Sequence, residues 1–313
     1  MTLFDDNPLN PQDRTLLPGS PADPSSGSRS TPPIAGDPIP SYVDLSAAYT
    51  PTPTLPEDLR ISWSWLHLLV FVIFAIVSQL AIGIVAILYF SADRHLTQKQ
   101  LKQLFESDPR LIVGTNVLWF ALIILFLYVT LSVLPALPFW RSLGWRRLNA
   151  GPTGSLNTGT TNPWVYFFSG CGLAIFVAIA SSRVKNVDHL PIQELFKNRT
   201  GAMLLMAMAV FIAPLVEETV FRGYLYPLFA KSLGVLPGIL ITGGLFGLMH
   251  GAQLGWTWGL VGLLTLVGVI FTFARARTGT VVASFLLHLG YNSMIAATSI
   301  IATKGFTHMP TGQ

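Results

Sequence analysis

Residues 63–90 read WSWLHLLVFVIFAIVSQLAIGIVAILYF, an apolar run interrupted only by Ser64, His67, Ser78 and Gln79. A transmembrane helix needs about 20 predominantly apolar residues to cross roughly 30 Å of hydrocarbon. This run is long enough to span a bilayer with some tilt. The stretch therefore predicts a membrane protein.

Further apolar runs follow along the chain, at Leu111–Leu134, Trp164–Ala180, Ala202–Phe229, Val235–His250, Trp256–Ala274 and Val281–Ala302. Of the 313 residues, 51% are hydrophobic and only 11% are charged, whereas soluble domains carry roughly 25% charged residues. The sequence thus predicts an all-α integral membrane protein. We expect a bundle of seven transmembrane helices, or eight if a half-span or the segment 186–200 adds one.

The N-terminal segment differs in composition from the rest of the chain. Residues 1–60 hold twelve of the 22 prolines among many Ser, Gly, Thr and Asp residues. Such a segment cannot bury enough apolar surface to offset its ordering entropy. We predict a disordered tail at 1–60 and a transmembrane domain at 61–304. The connection at 91–110 is predicted to form a short amphipathic helix on the membrane surface.

The charge balance concerns the membrane rather than nucleic acid. The formal net charge is +4, but no stretch resembles a phosphate-tracking or groove-reading patch, so we expect no nucleic-acid partner. Loops on the two sides carry similar numbers of Lys and Arg, which leaves the orientation open. The acid-free basic loops at 141–147 and 275–277 share the side of the tail and favour a cytoplasmic N-terminus. We predict a multi-pass protein of the plasma or inner membrane.

Ionisable side chains are costly at membrane depth and mark functional sites by default. Apart from His67 near the end of a run, the predicted spans contain five such groups and a neighbouring amide: Glu217, Glu218, Arg222, His250, His288 and Asn292. All of them lie on three of the last four runs, and the first three runs have no carboxylate in their interiors. This segregation predicts one site.

Helical geometry divides these groups. Glu218 and Arg222 are four residues apart, so they can form an ion pair on one helix face. Glu217 points about 100° away from Glu218 and is free to face another helix. Counting inward from the same membrane surface at about 1.5 Å per residue brings the polar groups of the three helices to similar depths, roughly 12 to 22 Å. Small residues at Gly243, Gly247 and Gly251 would allow close helix approach.

Three short motifs contain these residues. Residues 217–222 read EETVFR (E-E-x-x-x-R), residues 246–250 read FGLMH (F-x-x-x-H) and residues 288–292 read HLGYN (H-x-x-x-N). Each motif is weak alone, but their order inside apolar spans is specific. The chain resembles the CPBP family over about 160–300. These are CAAX-prenyl protease and bacteriocin-processing, Abi-like intramembrane endopeptidases.

The resemblance implies a role for each motif residue. Glu217 and His250 would activate a water molecule for attack on the scissile amide. His288 and Asn292 would stabilise the oxyanion of the tetrahedral intermediate. Supporting roles fall to Glu218, Arg222 and Phe246, which would orient the site. The implied substrate is a membrane-anchored or prenylated peptide or protein, or a leader peptide.

Other interpretations of the same residues remain open. Glu217, His250 and His288 are acceptable zinc ligands, and the family has been described as metalloendopeptidases. The chain lacks an H-E-x-x-H pattern, which favours hydrolysis without a metal cofactor. A transporter or proton-coupled channel would also place such groups at mid-membrane, but it predicts inverted repeats that the sequence lacks. A third alternative is an inactive scaffold of the same family that binds membrane proteins.

Overall fold

A computed structural model of the protein describes residues 56–94, 97, 99–100, 104, 108–148, 160–184 and 199–306. All regular secondary structure in these ranges is helical. The helices that are long and apolar enough to cross a membrane are α1 (Trp65–Arg94), α2 (Pro109–Val133), α4 (Pro163–Ser181), α5 (Arg199–Leu233), α7 (Trp258–Thr278) and α8 (Val281–Ala302). Two shorter helices are α3 (Phe139–Ser142) and the apolar α6 (Val235–Met249). This confirms the prediction of an all-α, multi-pass membrane protein.

Each predicted apolar run corresponds to one of these helices, with α6 too short to span a bilayer by itself. An eighth span at 186–200 falls almost entirely outside the described residues. The same holds for most of the amphipathic helix predicted at 91–110. The first residues of that connection belong to α1, which continues four residues beyond the predicted run, to Arg94.

Local capping explains where several helices begin and end. Asp108 accepts hydrogen bonds from the first backbone N–H groups of α2, and Asn162 does the same for α4. A proline follows each of these caps, where its missing N–H costs nothing. Thr280 caps α8 through Val282 N at 3.1 Å. Immediately before it, Gly279 ends α7 with a positive φ of 68°, a conformation that glycine adopts without strain.

Glycines set the closest helix contacts. A Cβ atom at Gly243 would lie 2.6 Å from the backbone nitrogen of Val269, and one at Gly247 would collide with Thr265, so α6 and α7 touch backbone to backbone. Gly251 does not serve this purpose, because it packs against the Trp256 ring in the loop after α6. The predicted role of small residues thus holds for two of the three positions.

Burial is concentrated around the last four helices. In α5 and in α7, 44% of an 18-residue apolar stretch of the helix is buried inside the protein, compared with 11% of the corresponding stretch in α1 and in α2. The outer helices α1 and α2 therefore expose most of their surface, as expected for lipid contact. The helix that carries the two glutamates is thus one of the two best enclosed, and α8, which carries the third motif, is intermediate with 28%.

The folded bundle begins before residue 61, which corrects the predicted boundary. Residues Glu57–Leu59 form a 3₁₀ turn in which Asp58 and Leu59 are buried. Oδ2 of Asp58 lies 3.1 Å from Nη1 of Arg275 at the end of α7. A carboxylate at this position is buried because a distant guanidinium pairs with it, which composition cannot indicate. Residues 1–55 of the predicted tail lie outside the described part of the chain.

Candidate active site

The motif glutamates lie on a short α-helical turn between two wider turns of α5. Residues Ala213–Glu218 are α-helical, whereas Met208–Ile212 and Thr219–Leu225 are π-helical. Turns of this kind are rare and occur frequently at functional sites. The irregularity changes which way Glu217 and Glu218 point relative to the rest of the helix.

Asn292 compensates for one of these irregularities. The N–H of Ala213 donates to Met208 O, five residues back. The next hydrogen bond of this five-residue pattern would run from the N–H of residue 214 to the carbonyl of Ala209. Residue 214 is a proline and has no N–H, so this carbonyl lacks its backbone donor. Nδ2 of Asn292 donates to this carbonyl at 2.7 Å. One amide proton of Asn292 therefore completes the backbone of α5, and the other remains available.

The predicted pair between Glu218 and Arg222 is present. Nη1 of Arg222 lies 2.9 Å from Oε1 of Glu218, and neither side chain is exposed. Helix α7 holds the rest of the guanidinium, with Nη2 2.9 Å from Gly268 O and Nε 3.2 Å from Thr272 Oγ1. The Phe246 ring lies 4.6 Å from the guanidinium carbon, which adds a cation–π contact. Both charges are thus compensated inside the bundle.

His288 of α8 stands between the two adjacent glutamates. Its Nδ1–H donates to Oε1 of Glu218 at 2.9 Å. Its Nε2 lies 3.8 Å from Oε2 of Glu217. The ring packs against Phe271 at 4.9 Å and against Phe246 at 5.8 Å between centroids. This arrangement brings the first and third motifs together.

His250 ends α6 beside the same aromatic cluster. Its Nδ1–H donates to the carbonyl of Phe246 at 2.8 Å, four residues back. In the neutral ring this leaves Nε2 with a free lone pair, ready to accept a proton. The Phe246 ring lies 4.9 Å from His250, so Phe246 contacts both histidines. In the described part of the chain, no hydrogen bond or ion pair joins His250 to Glu217.

Side-chain exposure separates an inner layer from an outer one. Glu218 and Arg222 are fully buried, and His288 is 5% exposed. Glu217 has 12% of its side chain exposed, and His250 is half-buried. The outer carboxylate can therefore meet a water molecule, while the inner pair holds the histidine next to it.

Residues 199–294 match the family model described as type II CAAX prenyl endopeptidase, Rce1-like. The match begins with the first residue of α5 and ends two residues after Asn292, so it contains all three motifs. The chain carries an Rce1-like domain. No curated protein and no solved structure gives a significant match.

The Rce1-like family consists of CAAX prenyl endopeptidases, which are peptide hydrolases. This family and the apolar helices identify the protein as a multi-pass membrane endopeptidase that acts on a peptide in the bilayer. The finding agrees with the resemblance to the CPBP family and favours hydrolysis over transport. The family match does not assign a function to any single residue.

The three residues predicted as zinc ligands do not come together as a metal site. In the ranges that the structure describes, no group of three or more His, Cys, Asp or Glu side chains is arranged to hold an ion. Glu217 and His288 approach each other, but among the described residues no hydrogen bond or ion pair joins His250, the third predicted ligand, to Glu217. The donor set in this arrangement does not fit catalytic zinc, which needs three protein ligands.

Several residues of the Rce1-like site were not predicted. Thr272 and Gly268 hold Arg222 from α7, and Trp145 donates to Thr219 Oγ1 at 3.1 Å, next to Glu218. Only Pro214 carried a usable signal, because a proline within a predicted span frees a backbone carbonyl that needs another donor. The other contacts follow from how the helices are rotated about their axes.

Proposed function

We propose that the protein hydrolyses a peptide bond of a membrane-anchored or prenylated substrate with a water molecule activated at Glu217. The observation that carries this proposal is the position of Glu217. It is the partly exposed carboxylate beside a buried cluster of Glu218, Arg222 and His288. A carboxylate in a site with little water can act as a general base because few solvent molecules compete for the proton.

The proposed reaction has two steps. Glu217 takes a proton from a water molecule while the oxygen of that water attacks the scissile carbonyl carbon. This attack forms a tetrahedral oxyanion. The carbon–nitrogen bond then breaks, and the same proton passes from Glu217 to the leaving nitrogen. The products are a carboxylic acid and an amine, so no other reactant is needed.

His250 is proposed to hold the attacking water. Its Nδ1–H is engaged by the carbonyl of Phe246, so Nε2 is the nitrogen that can accept a hydrogen bond. A water held at Nε2 and at Glu217 would have its proton and its lone pair fixed in direction. Positioning of this kind lowers the entropic part of the barrier.

Oxyanion stabilisation is proposed for His288 and Asn292. Glu218 fixes the Nδ1 side of His288, which directs Nε2 towards Glu217 and the reacting atoms. When Nε2 carries a proton, it can donate to the oxyanion. The second amide proton of Asn292 is the other available donor. A donor of this type typically contributes about 10²–10³ in rate.

The test uses the purified full-length protein with a panel of prenylated, lipid-anchored and leader peptides, each with and without a chelator. We expect cleavage of at least one membrane-anchored peptide, and cleavage that the chelator leaves unchanged supports the metal-free mechanism. Glu217→Gln keeps the size of the side chain and removes the base, so it should abolish cleavage. Glu57→Gln is the matched control, because this exposed carboxylate lies outside the site.

The alternatives predict other results. A transporter or an inactive scaffold would cleave none of the peptides, in the wild type or in either variant. If the chelator abolished activity and zinc restored it, Glu217, His250 and His288 would be zinc ligands instead of having the roles proposed here. Cleavage by Glu217→Gln at the wild-type rate would exclude Glu217 as the base.

A further inference from the structure

A cavity lies where the 3₁₀ turn, the loop around α3 and the end of α7 meet. It has a volume of about 260 Å³ and shares no residue with the candidate active site. Its charged lining residues are Glu57, Asp58, Arg60, Arg141, Arg146 and Arg275. Four guanidinium groups against two carboxylates leave a net charge of +2. The cavity is therefore suited to an anion.

Part of this lining is held rigidly in place. The side chain of Arg275 is 1% exposed and pairs with Asp58 at 3.1 Å. Gly144 has a φ of +80°, and a Cβ atom there would lie 2.8 Å from Nη2 of Arg275. Only a glycine lets the guanidinium lie so close to this loop. Arg146 is fixed in the same way by Glu57, at 2.7 Å.

These arginines retain hydrogen-bonding capacity. In the described part of the chain, the buried Nε atoms of Arg146 and Arg275 have no hydrogen-bond partner. The side chain of Arg141 is exposed and has no ion pair in those ranges. These Nε atoms are shielded from solvent, so an anion in the cavity would be attracted by the charge of the two guanidinium groups rather than by these atoms. Guanidinium groups match the geometry of phosphate oxygens especially well.

The depth of the cavity indicates where the anion comes from. The lining residues come from the segment before α1, the segment after α2 and the end of α7. Because consecutive spans alternate in direction, these three places lie on the same side of the membrane. Three exposed tryptophans lie on that side: Trp65 at the start of α1 (48% exposed), Trp140 in α3 (47%) and Trp164 at the start of α4 (64%). Tryptophan is enriched at the level of the lipid headgroups. Basic pockets between transmembrane helices at this level bind anionic headgroups.

We propose that this cavity binds a phosphate group, supplied by the headgroup of an anionic phospholipid. Arg275 and the partly buried Arg146 provide positive charge held in place by their ion pairs, and the exposed Arg141 provides a donor at the rim. Binding there would join the N-terminal turn, the loop before α4 and the end of α7 through one ligand. The lipid would thus stabilise the packing of these three segments.

The test is thermal unfolding of the full-length protein in detergent micelles. The midpoint is followed against rising concentrations of short-chain phosphatidylglycerol, short-chain phosphatidylcholine or inorganic phosphate. Three proteins are compared: wild type, Arg141→Gln and Arg147→Gln. Arg147 is the matched control, because it is an exposed arginine of the same loop that does not line the cavity.

We expect phosphatidylglycerol to raise the wild-type midpoint more than phosphatidylcholine does. The half-saturating concentration should rise at least about tenfold in Arg141→Gln, since this variant loses a hydrogen bond between charged groups that only a residue lining the cavity can make. It should be unchanged in Arg147→Gln. A midpoint shift with inorganic phosphate that is weakened by Arg141→Gln supports the same phosphate site with a soluble source. Equal effects of the two substitutions, or no shift with either anionic ligand, would overturn the proposal.

Discussion

Nδ1 of His288 and Nη1 of Arg222 both donate to the same carboxylate oxygen, Oε1 of Glu218, and each distance is 2.9 Å. One fully buried carboxylate therefore joins α5 to α8 and balances an arginine that α7 also holds. The histidine fixed in this way has its other nitrogen 3.8 Å from Glu217. The inner glutamate thus sets the geometry beside the outer one.

The first prediction concerns the inner ion pair. Arg222→Ala should lower the free energy of unfolding by about 3–5 kcal/mol, because it leaves a buried carboxylate without its cation. Cleavage should fall as well, since Glu218, the partner of His288, loses the cation that fixes it. Thermal unfolding and peptide cleavage are measured on the same preparation. Arg147→Ala serves as the control for loss of an exposed arginine, and an Arg222→Ala protein as stable as this control would contradict the prediction.

A second prediction distinguishes His250 from His67, a partly buried histidine of α1. His250→Ala should reduce the cleavage rate by about 10²–10⁴, the usual contribution of a group that assists proton transfer. The bundle should remain folded, because the hydrogen bond from His250 to Phe246 lies at a helix end. His67→Ala removes a histidine that bonds Tyr224 at 2.7 Å, beyond the last motif residue of α5. At matched folded concentrations, equal cleavage rates for the two variants would refute a catalytic role for His250.

The third prediction separates the two uses of the Asn292 amide. Asn292→Ala should lower both stability and the cleavage rate, because it frees the carbonyl of Ala209 and removes an oxyanion donor. Adding Pro214→Ala returns an N–H to position 214. The double variant should recover stability, while cleavage stays about 10²–10³ below that of Pro214→Ala alone.

Unfolding midpoints and initial cleavage rates of wild type, both single variants and the double variant form a closed cycle. Recovery of the rate together with stability would mean that Asn292 acts only through the backbone of α5. Purely additive stability changes would mean that Asn292 does not compensate for Pro214.

The fourth prediction concerns the start of the folded domain. A chain that begins at residue 56 keeps the pair between Asp58 and Arg275, whereas one that begins at residue 61 loses it. The shorter chain should unfold at a lower temperature, because a buried guanidinium is left without its carboxylate. Asp58→Asn in the full-length protein should reproduce most of this loss. If the two truncated chains were equally stable, the pair would not contribute to folding.

The sequence by itself determined the membrane helices and predicted which residues form the site. Long apolar runs such as residues 63–90 are local features, since the bilayer requires a certain length and composition. The pair between Glu218 and Arg222 could also be predicted, because both residues lie on one helix and the helical repeat places them on one face. The motifs within residues 217–292 indicated the family for the same reason, as each motif spans only one or two turns.

Only the tertiary structure decided how these helices meet. His288 pairs with Glu218 across 70 residues, Asn292 with Ala209 across 83, and Arg275 with Asp58 across 217. Such contacts depend on the rotation of each helix about its own axis, and hydrophobicity leaves that rotation almost free where the surroundings are lipid. The π-helical turns beside Pro214 and the glycine contacts of α6 set it here, because close packing allows few rotations of one helix against another.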